Sequence, residues 1–396
     1  MKKKILFVID SLNCAGAEKS LVTLLSLLDY SKFEVDLMLF SQGGELQSLV
    51  PKEVNILNPI SYTLFTSLGL KDSIRYTLKK LEFRKFHART KYSIFIRKGK
   101  PRNVEKARLY WQSSSKVIES NSKEYDIAIS YAQGIPTFYV AEKVNARRKF
   151  AWVNVSYSMN KKDKDFQSVF YDQFEKVVAV STTTKKIFLE TFPQYSKKTT
   201  VIYDINDFNL ISEMAGIGEK EIDYFKGVKI LTVGRLDYQK GYDIALDACE
   251  KLKKAGVDFK WYVLGKGPLK EEIIKEVEKR NIGKHLILLG IRSNPYPIFK
   301  SADLYVQTSK FEGFGLAIAE ARMLNIPVVT TEFDAVYNQM INGKNGLVVG
   351  MNGESVFQGI MKLLNNQGLK EEIINYLKLE KKGNIEEVEK FYDLIS

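Results

Sequence analysis

Cysteine and histidine are nearly absent from this chain: its 396 residues hold two of each. Cys14 and Cys249 lie far apart and are too few for a disulfide framework or a four-ligand zinc site, so both are expected to be reduced thiols. Cys14 has no basic partner close in sequence and no protease-type signature around it, and reads as a loop residue. Of the histidines, His87 sits in a basic segment and His285 opens a strand; neither position suits an imidazole base. Long apolar runs are missing as well. The opening "MKKKILFVID" carries an apolar run of only five residues, closed by Asp10, too short for a signal-peptide core, and reads as a first strand. No later stretch approaches the roughly eighteen residues needed to cross a bilayer. These absences point to a cytoplasmic chain, soluble or at most peripheral on the inner face of the plasma membrane. Low-complexity tracts and repeats of solenoid period are also lacking.

What is present is apolar material for more than one core. At 396 residues and 45% hydrophobic composition, two or three compact units are expected. Charge is uneven: residues 1–200 hold 34 basic and 19 acidic side chains, the remainder 26 and 28. The excess is densest over residues 71–110, where 14 Lys or Arg face three acidic residues and alternate with Ile74, Leu78, Leu81, Phe86, Tyr92 and Phe95. Two readings stand side by side: a solvated helix whose apolar stripe faces the core, or a basic amphipathic face for an anionic membrane, where each well-placed cation contributes about 1 kcal/mol. Nucleic acid is not expected, because no recognised binding motif accompanies the charge.

Short β-branched or aliphatic runs alternate with stretches of helical spacing, the signature of parallel sheets covered by helices. "KILFVID", "FEVDLMLF", "YDIAIS", "KFAWVNV", "KVVAVS" and "TTVIYD" are the strands expected in the first half, with a first helix from Glu18 to Leu28. "VKILTVG", "FKWYVLG", "HLILLG", "ADLYVQTS", "PVVTT" and "GLVV" follow in the second, with helices near Tyr242 to Lys254, Leu269 to Asn281 and Leu316 to Leu324. The pattern loses regularity between Tyr203 and Lys226. The fold class is α/β, with two doubly wound Rossmann-like domains facing across a cleft. The domains are expected at 1–205 and 226–375, with a connection at 206–225 and a helical segment at 376–396 packing back toward the first.

Two stretches carry chemistry. In "TSKFEGFGLAIAEA", residues 308 to 321, a strand ends, glycines turn the chain, and a helix starts near Gly315. Gly313 and Gly315 permit close approach of backbone to ligand, and the exposed amides at the helix start suit a diphosphate. Glu312 precedes the helix and Glu320 lies inside it, so the two carboxylates reach different parts of an extended ligand; sugar hydroxyls are natural partners. Singly, each would read as a surface carboxylate, but the apolar context argues against that. In "VGRLDYQKGYDIALDA", Arg235 follows a strand and Lys240 precedes a helix, at the edge where open α/β sheets bind ligands. The planar Arg fork and mobile Lys charge could neutralise a departing diphosphate. Alone, the pair would read as two solvated cations with Asp237 as local partner. "VLGKGP" offers Gly265 and Gly267 after a strand, but Lys270 stands where a dinucleotide fingerprint needs its third glycine, which disfavours a nicotinamide enzyme.

In order along the chain, "VGRLDYQKG", "VLGKGP", "LLG", "NPYP", "SADLYVQTSKFEGFGLAIAEA", "PVV" and "NGKNGLVV" resemble glycosyltransferase family 4 over nearly the whole C-terminal half. More loosely, "NCAGAEKSL" looks like that family's Gly-rich donor loop and "KFAWVNVSY" like the acceptor-side segment of its bacterial capsule and exopolysaccharide members. The resemblance implies a GT-B architecture and retaining transfer without metal or other cofactor, with Arg235 and Lys240 on the diphosphate, Glu320 on the ribose and Glu312 holding the transferred sugar. It further implies donor contacts from Gly16, Gly265, Gly290, Ile291 and Gly313 and from the backbone of Phe314, Gly315 and Leu316, with Tyr131, Gln133, Asn154 and Ser156 on the acceptor side. Two positions depart from the family pattern: Ala15 replaces a first glycine of the donor loop, and Asn154 stands where many members have histidine. In a front-face reaction the departing phosphate oxygen can itself take the acceptor's proton, and Asn154 would position a hydroxyl. The function expected is transfer of a hexose or N-acetylhexosamine, from a UDP-sugar by preference, to a lipid-linked or growing saccharide. A protein O-glycosyltransferase and a catalytically silent partner of another transferase are the alternatives.

Overall fold

The apolar run behind the basic start becomes a central strand because both of its faces are covered. In the computed structural model, which describes residues 2–13, 16–99, 101–155, 159–218, 222, 224–292 and 294–396, Ile5 to Ile9 are all essentially inaccessible to solvent, as a parallel sheet sandwiched between helices requires. Cys14 and Ser156 lie outside the described residues.

The chain divides into two compact units, one of residues 1–203 with 389–396 and one of residues 204–388. In chain order the first contains β1 (Lys3–Ile9), α1 (Gly16–Ser26), β2 (Phe33–Leu39), β3 (Asn55–Ile56), α2 (Ser61–Ser67), α3 (Leu70–Lys80), α4 (Phe83–Gly99), α5 (Asn103–Ser114), β4 (Glu124–Ser130), α6 (Ile135–Lys143), β5 (Asn145–Val153), α7 (Lys161–Tyr171), β6 (Lys176–Ala179), α8 (Thr182–Thr191) and β7 (Thr199–Val201). Among the described residues these strands form a seven-stranded sheet of order β3-β2-β1-β4-β5-β6-β7, parallel throughout. Its core on one face is aromatic, with Trp111, Phe138, Phe170, Tyr171, Phe188 and Phe192 buried together.

The second unit contains α9 (Phe208–Met214), β8 (Val228–Val233), α10 (Tyr242–Lys254), β9 (Phe259–Leu264), α11 (Lys270–Lys279), β10 (Leu286–Gly290), α12 (Tyr296–Ser301), β11 (Leu304–Gln307), α13 (Leu316–Met323), β12 (Val328–Thr331), β13 (Leu347–Val349), α14 (Gly353–Asn365) and α15 (Gln367–Leu379). Its six strands run parallel in the order β10-β9-β8-β11-β12-β13, the doubly wound arrangement whose direction of winding reverses between β8 and β11. Separate clusters cover the two faces, one around Trp261, Ile244 and Leu252, the other around Tyr305, Phe299 and Ile318.

Three details differ from the sequence reading. The stretch expected as an irregular connection at 206–225 contains α9, and both fall within the second unit; Asp207 caps that helix by accepting from the amides of Asn209 and Leu210, a strong start signal that scattered glycines obscured. The last helix is α16 (Glu387–Ile395), and residues 389–396 belong to the first unit. There Phe391 is wholly buried against the rings of Phe7 and Trp152, at 6.0 and 6.2 Å. The basic segment is not one helix but α3, α4 and the start of α5.

Candidate functional site

The reversal of winding in the second unit leaves a crevice at the carboxyl ends of β8 and β11, where neighbouring strands send their following helices to opposite faces. The loop after β8 carries Arg235 and Lys240; the loop after β11 carries Glu312 and the Gly313–Gly315 turn. Asp237 organises the first loop: its carboxylate accepts the Lys240 amide at 3.3 Å and pairs with the Arg235 guanidinium at 3.2 Å. Arg235 remains more than half exposed.

The two loops are clasped by backbone. Gly241 takes φ +62°, and a Cβ there would lie 2.0 Å from the Thr308 carbonyl oxygen, so only glycine allows the close approach. The Thr308 hydroxyl donates to the Lys240 carbonyl at 2.9 Å, and the Lys310 amide donates to the Gln239 carbonyl at 2.8 Å. This clasp brings Lys240 Nζ within 2.5 Å of Glu312 Oε1. Gln307 Nε2 at 2.9 Å and Ser309 Oγ at 2.6 Å donate to the same oxygen, and Gln239 Nε2 donates to Oε2 at 3.3 Å. Glu312 is thus a nearly buried carboxylate fixed by four side chains.

Beyond it, Gly315 adopts φ +88° as the residue that opens α13, and Gln339 Nε2 donates to the carbonyls of Phe314 and Gly315. The first amides of α13 form the positive end of a helix dipole. Glu320 lies one turn further on, buried, with Oε1 accepting the Tyr296 hydroxyl at 3.0 Å. Burial, reinforced by the charges of Glu320 and Glu312, pushes the Tyr305 hydroxyl up; burial, with Asp237 and Glu312, does the same to Tyr242. Both tyrosines therefore act as neutral donors, Tyr305 to Gln307 Oε1 at 2.7 Å and Tyr242 to the Gly234 carbonyl at 3.0 Å. Gly265, Gly290 and Ile291 lie at the neighbouring strand ends, where the Gly265 amide bonds the Gly290 carbonyl at 2.8 Å.

The first unit has its own reversal, between β1 and β4. Gly16 begins the helix that follows β1, and Tyr131 and Gln133 follow β4. Tyr131 stacks on Trp152 at 5.1 Å and shares a 3.0 Å hydrogen bond with Ser20 on α1. Gln133 Oε1 accepts the amides of Asn154 and Val155, and Asn154 Nδ2 donates to the Tyr131 carbonyl at 2.8 Å. Asn154 Oδ1 is enclosed, with no hydrogen-bond partner among the described residues.

Residues 220–380 match the family described as glycosyl transferases, group 1. That match lies wholly within the second unit, residues 204–388. The N-acetylgalactosamine-N,N'-diacetylbacillosaminyl-diphospho-undecaprenol 4-alpha-N-acetylgalactosaminyltransferase of Campylobacter jejuni is 27% identical over 220 residues, covering 54% of this chain and 58% of that one. The poly(ribitol-phosphate) alpha-N-acetylglucosaminyltransferase of Staphylococcus aureus is 26% identical over 243 residues, covering 59% and 47%. The chain thus spans about half the length of these curated relatives. Among solved structures, HepE of Anabaena in complex with UDP and glucose superposes with a TM-score of 0.69 at 17% identity, covering 99% of each chain. A TarM variant of S. aureus, in complex with Fondaparinux, alpha-GlcNAc-glycerol and UDP, gives 0.67 at 15% identity over the full length of both. The two Rossmann-like units are those of the GT-B fold, and the chain resembles bacterial polysaccharide glycosyltransferases of family 4.

Asp237, Gln239, Gln307, Ser309, Tyr296 and Gln339 are not evident as site residues from the sequence, although all but Gln339 stand inside the motif stretches given above. Gln307 carried a usable signal: a polar residue at the end of an otherwise apolar central strand is buried at the ligand-binding edge and needs a partner.

Proposed function

We propose that the protein is a retaining, metal-independent glycosyltransferase that moves a hexose or N-acetylhexosamine from a UDP-sugar to a lipid-linked or growing saccharide of a cell-surface polymer. The observation that carries this reading is the meeting of Lys240, Glu312 and the glycine-turned start of α13 at one strand crevice. Positive charge there suits a diphosphate, and a fixed carboxylate beside it suits sugar hydroxyls.

In this reading Arg235, Lys240 and the first amides of α13 hold the diphosphate. Lys240 is shared between Glu312 and a phosphate oxygen, and Glu320 receives the ribose hydroxyls. The bond from the sugar's anomeric carbon to the β-phosphate oxygen breaks while the acceptor oxygen bonds that carbon on the same face. The acceptor's proton passes to the departing phosphate oxygen. Charge grows on that oxygen in the transition state, where preorganised cations stabilise it most. The named activities of the Campylobacter and Staphylococcus relatives, both on polymer or lipid-linked acceptors, support the acceptor class; the UDP in the HepE and TarM complexes supports the donor nucleotide. Localisation at the cytoplasmic side belongs to the same proposal.

The test is release of nucleoside diphosphate from a panel of nucleotide sugars, with lipid-linked saccharide acceptors and with or without EDTA. Turnover with a UDP-sugar, unchanged by chelation and giving a product of retained anomeric configuration, is expected. No turnover with any donor and acceptor pair would favour the silent-partner alternative.

A further inference from the structure

Helix α3 is packed inside out. Its fully buried residues are Ser73 and Thr77, at 0% and 4% exposure, whose hydroxyls turn back onto the helix's own carbonyls at Leu70 and Ser73. Tyr76 packs half-buried beside them, 5.7 Å from the Phe65 ring, but the aliphatic residues face away from the core. Leu70, Ile74 and Leu78, spaced four apart on one stripe, are 65%, 43% and 63% exposed, and Leu81 extends the row at 74%. Leu81 also closes the helix in the left-handed region, φ +56°, a conformation glycine adopts at lower cost. Phe83, at 55% exposure, opens the next helix beside it. An amphipathic helix ordinarily buries its apolar stripe; here small hydroxyl side chains take the buried positions and the stripe is left for something else.

We propose that this stripe docks on the surface of an anionic phospholipid bilayer. The charges around it select that occupant. Lys71, Arg75, Lys79, Lys80 and Arg84 border the row and are exposed. The acidic groups nearby are Asp72 at the start of α3 and Glu82, whose carboxylate is engaged by Lys85 at 3.0 Å. Leucines and a phenylalanine rimmed by cations on a helix lying along the surface combine apolar burial with attraction to lipid phosphate. A second copy of the chain would bring the same cations against these and be repelled. The inference does not depend on the enzymatic reading, since it rests on a different unit and is tested without turnover.

Flotation of the full chain with vesicles of phosphatidylcholine mixed with phosphatidylglycerol, and with vesicles of phosphatidylcholine alone, is the measurement. Recovery in the floated fraction is expected with the anionic vesicles only, falling as salt is raised. Substituting Lys71, Arg75 and Lys79 together by Gln should weaken partitioning by about a hundredfold, at about fivefold per cation. Replacing Ile74 and Leu78 together by Ser should abolish flotation while leaving the far-UV spectrum and thermal midpoint unchanged, because neither side chain supports the core. Equal recovery on neutral vesicles, no recovery on anionic ones, or wild-type flotation of the Ile74→Ser, Leu78→Ser variant would each overturn the proposal. So would concentration-dependent self-association that those two substitutions remove, which would assign the stripe to a second copy.

Discussion

At the scale of single residues, Arg235 and Lys240 do not share a role. Arg235 is exposed and, among the described residues, tethered to Asp237, whereas Lys240 is largely enclosed and already paired with Glu312. In the proposed mechanism, removing Lys240 takes away a transition-state cation, and it also leaves the nearly buried Glu312 short of a partner, a cost of the order of 1–3 kcal/mol for a buried polar group. Lys240→Ala should therefore lower both kcat, by about a hundredfold or more, and the thermal midpoint. Arg235→Ala should lower kcat by a similar factor with the midpoint unchanged. Steady-state kinetics beside thermal melts separate the two, and wild-type turnover in either variant would remove that side chain from the mechanism. The placement of Arg235, Lys240 and Glu312 in loops at the strand ends was legible in the sequence because each stands beside a glycine, Gly234, Gly241 and Gly313. Their fastening was not: that Gln307, Ser309 and Gln239 converge on Glu312 depends on two loops some seventy residues apart being clasped by Gly241 and Thr308, and no local pattern announces a partner at that distance.

At the scale of elements, strands of the central sheet were readable from their continuous apolar runs, and α10 from its regular apolar spacing over Tyr242–Lys254. The two-residue β3 had no run to show. The inverted α3 could not be seen, because its periodicity is that of an ordinary amphipathic helix and only tertiary context tells which side is covered. The edge of the first sheet is stitched by a polar contact of the same non-local kind. Asp36 on β2 is buried and accepts from Asn55 Nδ2 on β3 at 2.6 Å, Lys123 Nζ at 2.8 Å and Tyr125 Oη on β4 at 2.7 Å. Burial pushes its carboxyl up, but the bonds from Lys123, Tyr125 and Asn55 together outweigh that and hold it below the usual carboxylate range. A depressed folded-state pKa stabilises the fold above the unfolded value, about 3.9, and that contribution is lost as pH falls through the lower folded value. Asp36→Asn should cost about 1–3 kcal/mol near neutral pH and flatten the acid limb of stability below about pH 4. Urea melts of both proteins across the acid range are the check, and parallel pH profiles would show that Asp36 does not carry this dependence.

At the scale of the whole molecule, net charge and ligand chemistry are divided between the units. All of the positive excess behind the net +13 lies in residues 1–200, while Arg235, Lys240, Glu312 and the start of α13 lie in residues 204–388. General attraction of anions to a basic chain could therefore imitate donor binding, and the two have to be told apart by structure rather than by charge alone. A ligand held by the strand crevice stabilises the folded chain by RT ln(1 + [L]/Kd), about 2.7 kcal/mol at a hundredfold excess over Kd. UDP should raise the thermal midpoint accordingly and keep doing so at salt concentrations that screen exposed charges. Inorganic pyrophosphate, which lacks the ribose that Glu320 would receive, should raise it less at equal concentration. In the Arg235→Ala, Lys240→Ala double variant the UDP shift should vanish, although the chain keeps eleven of its thirteen net positive charges. A shift of wild-type size in that variant, or an equal shift from pyrophosphate, would mean that the basic unit and not the crevice had bound the nucleotide.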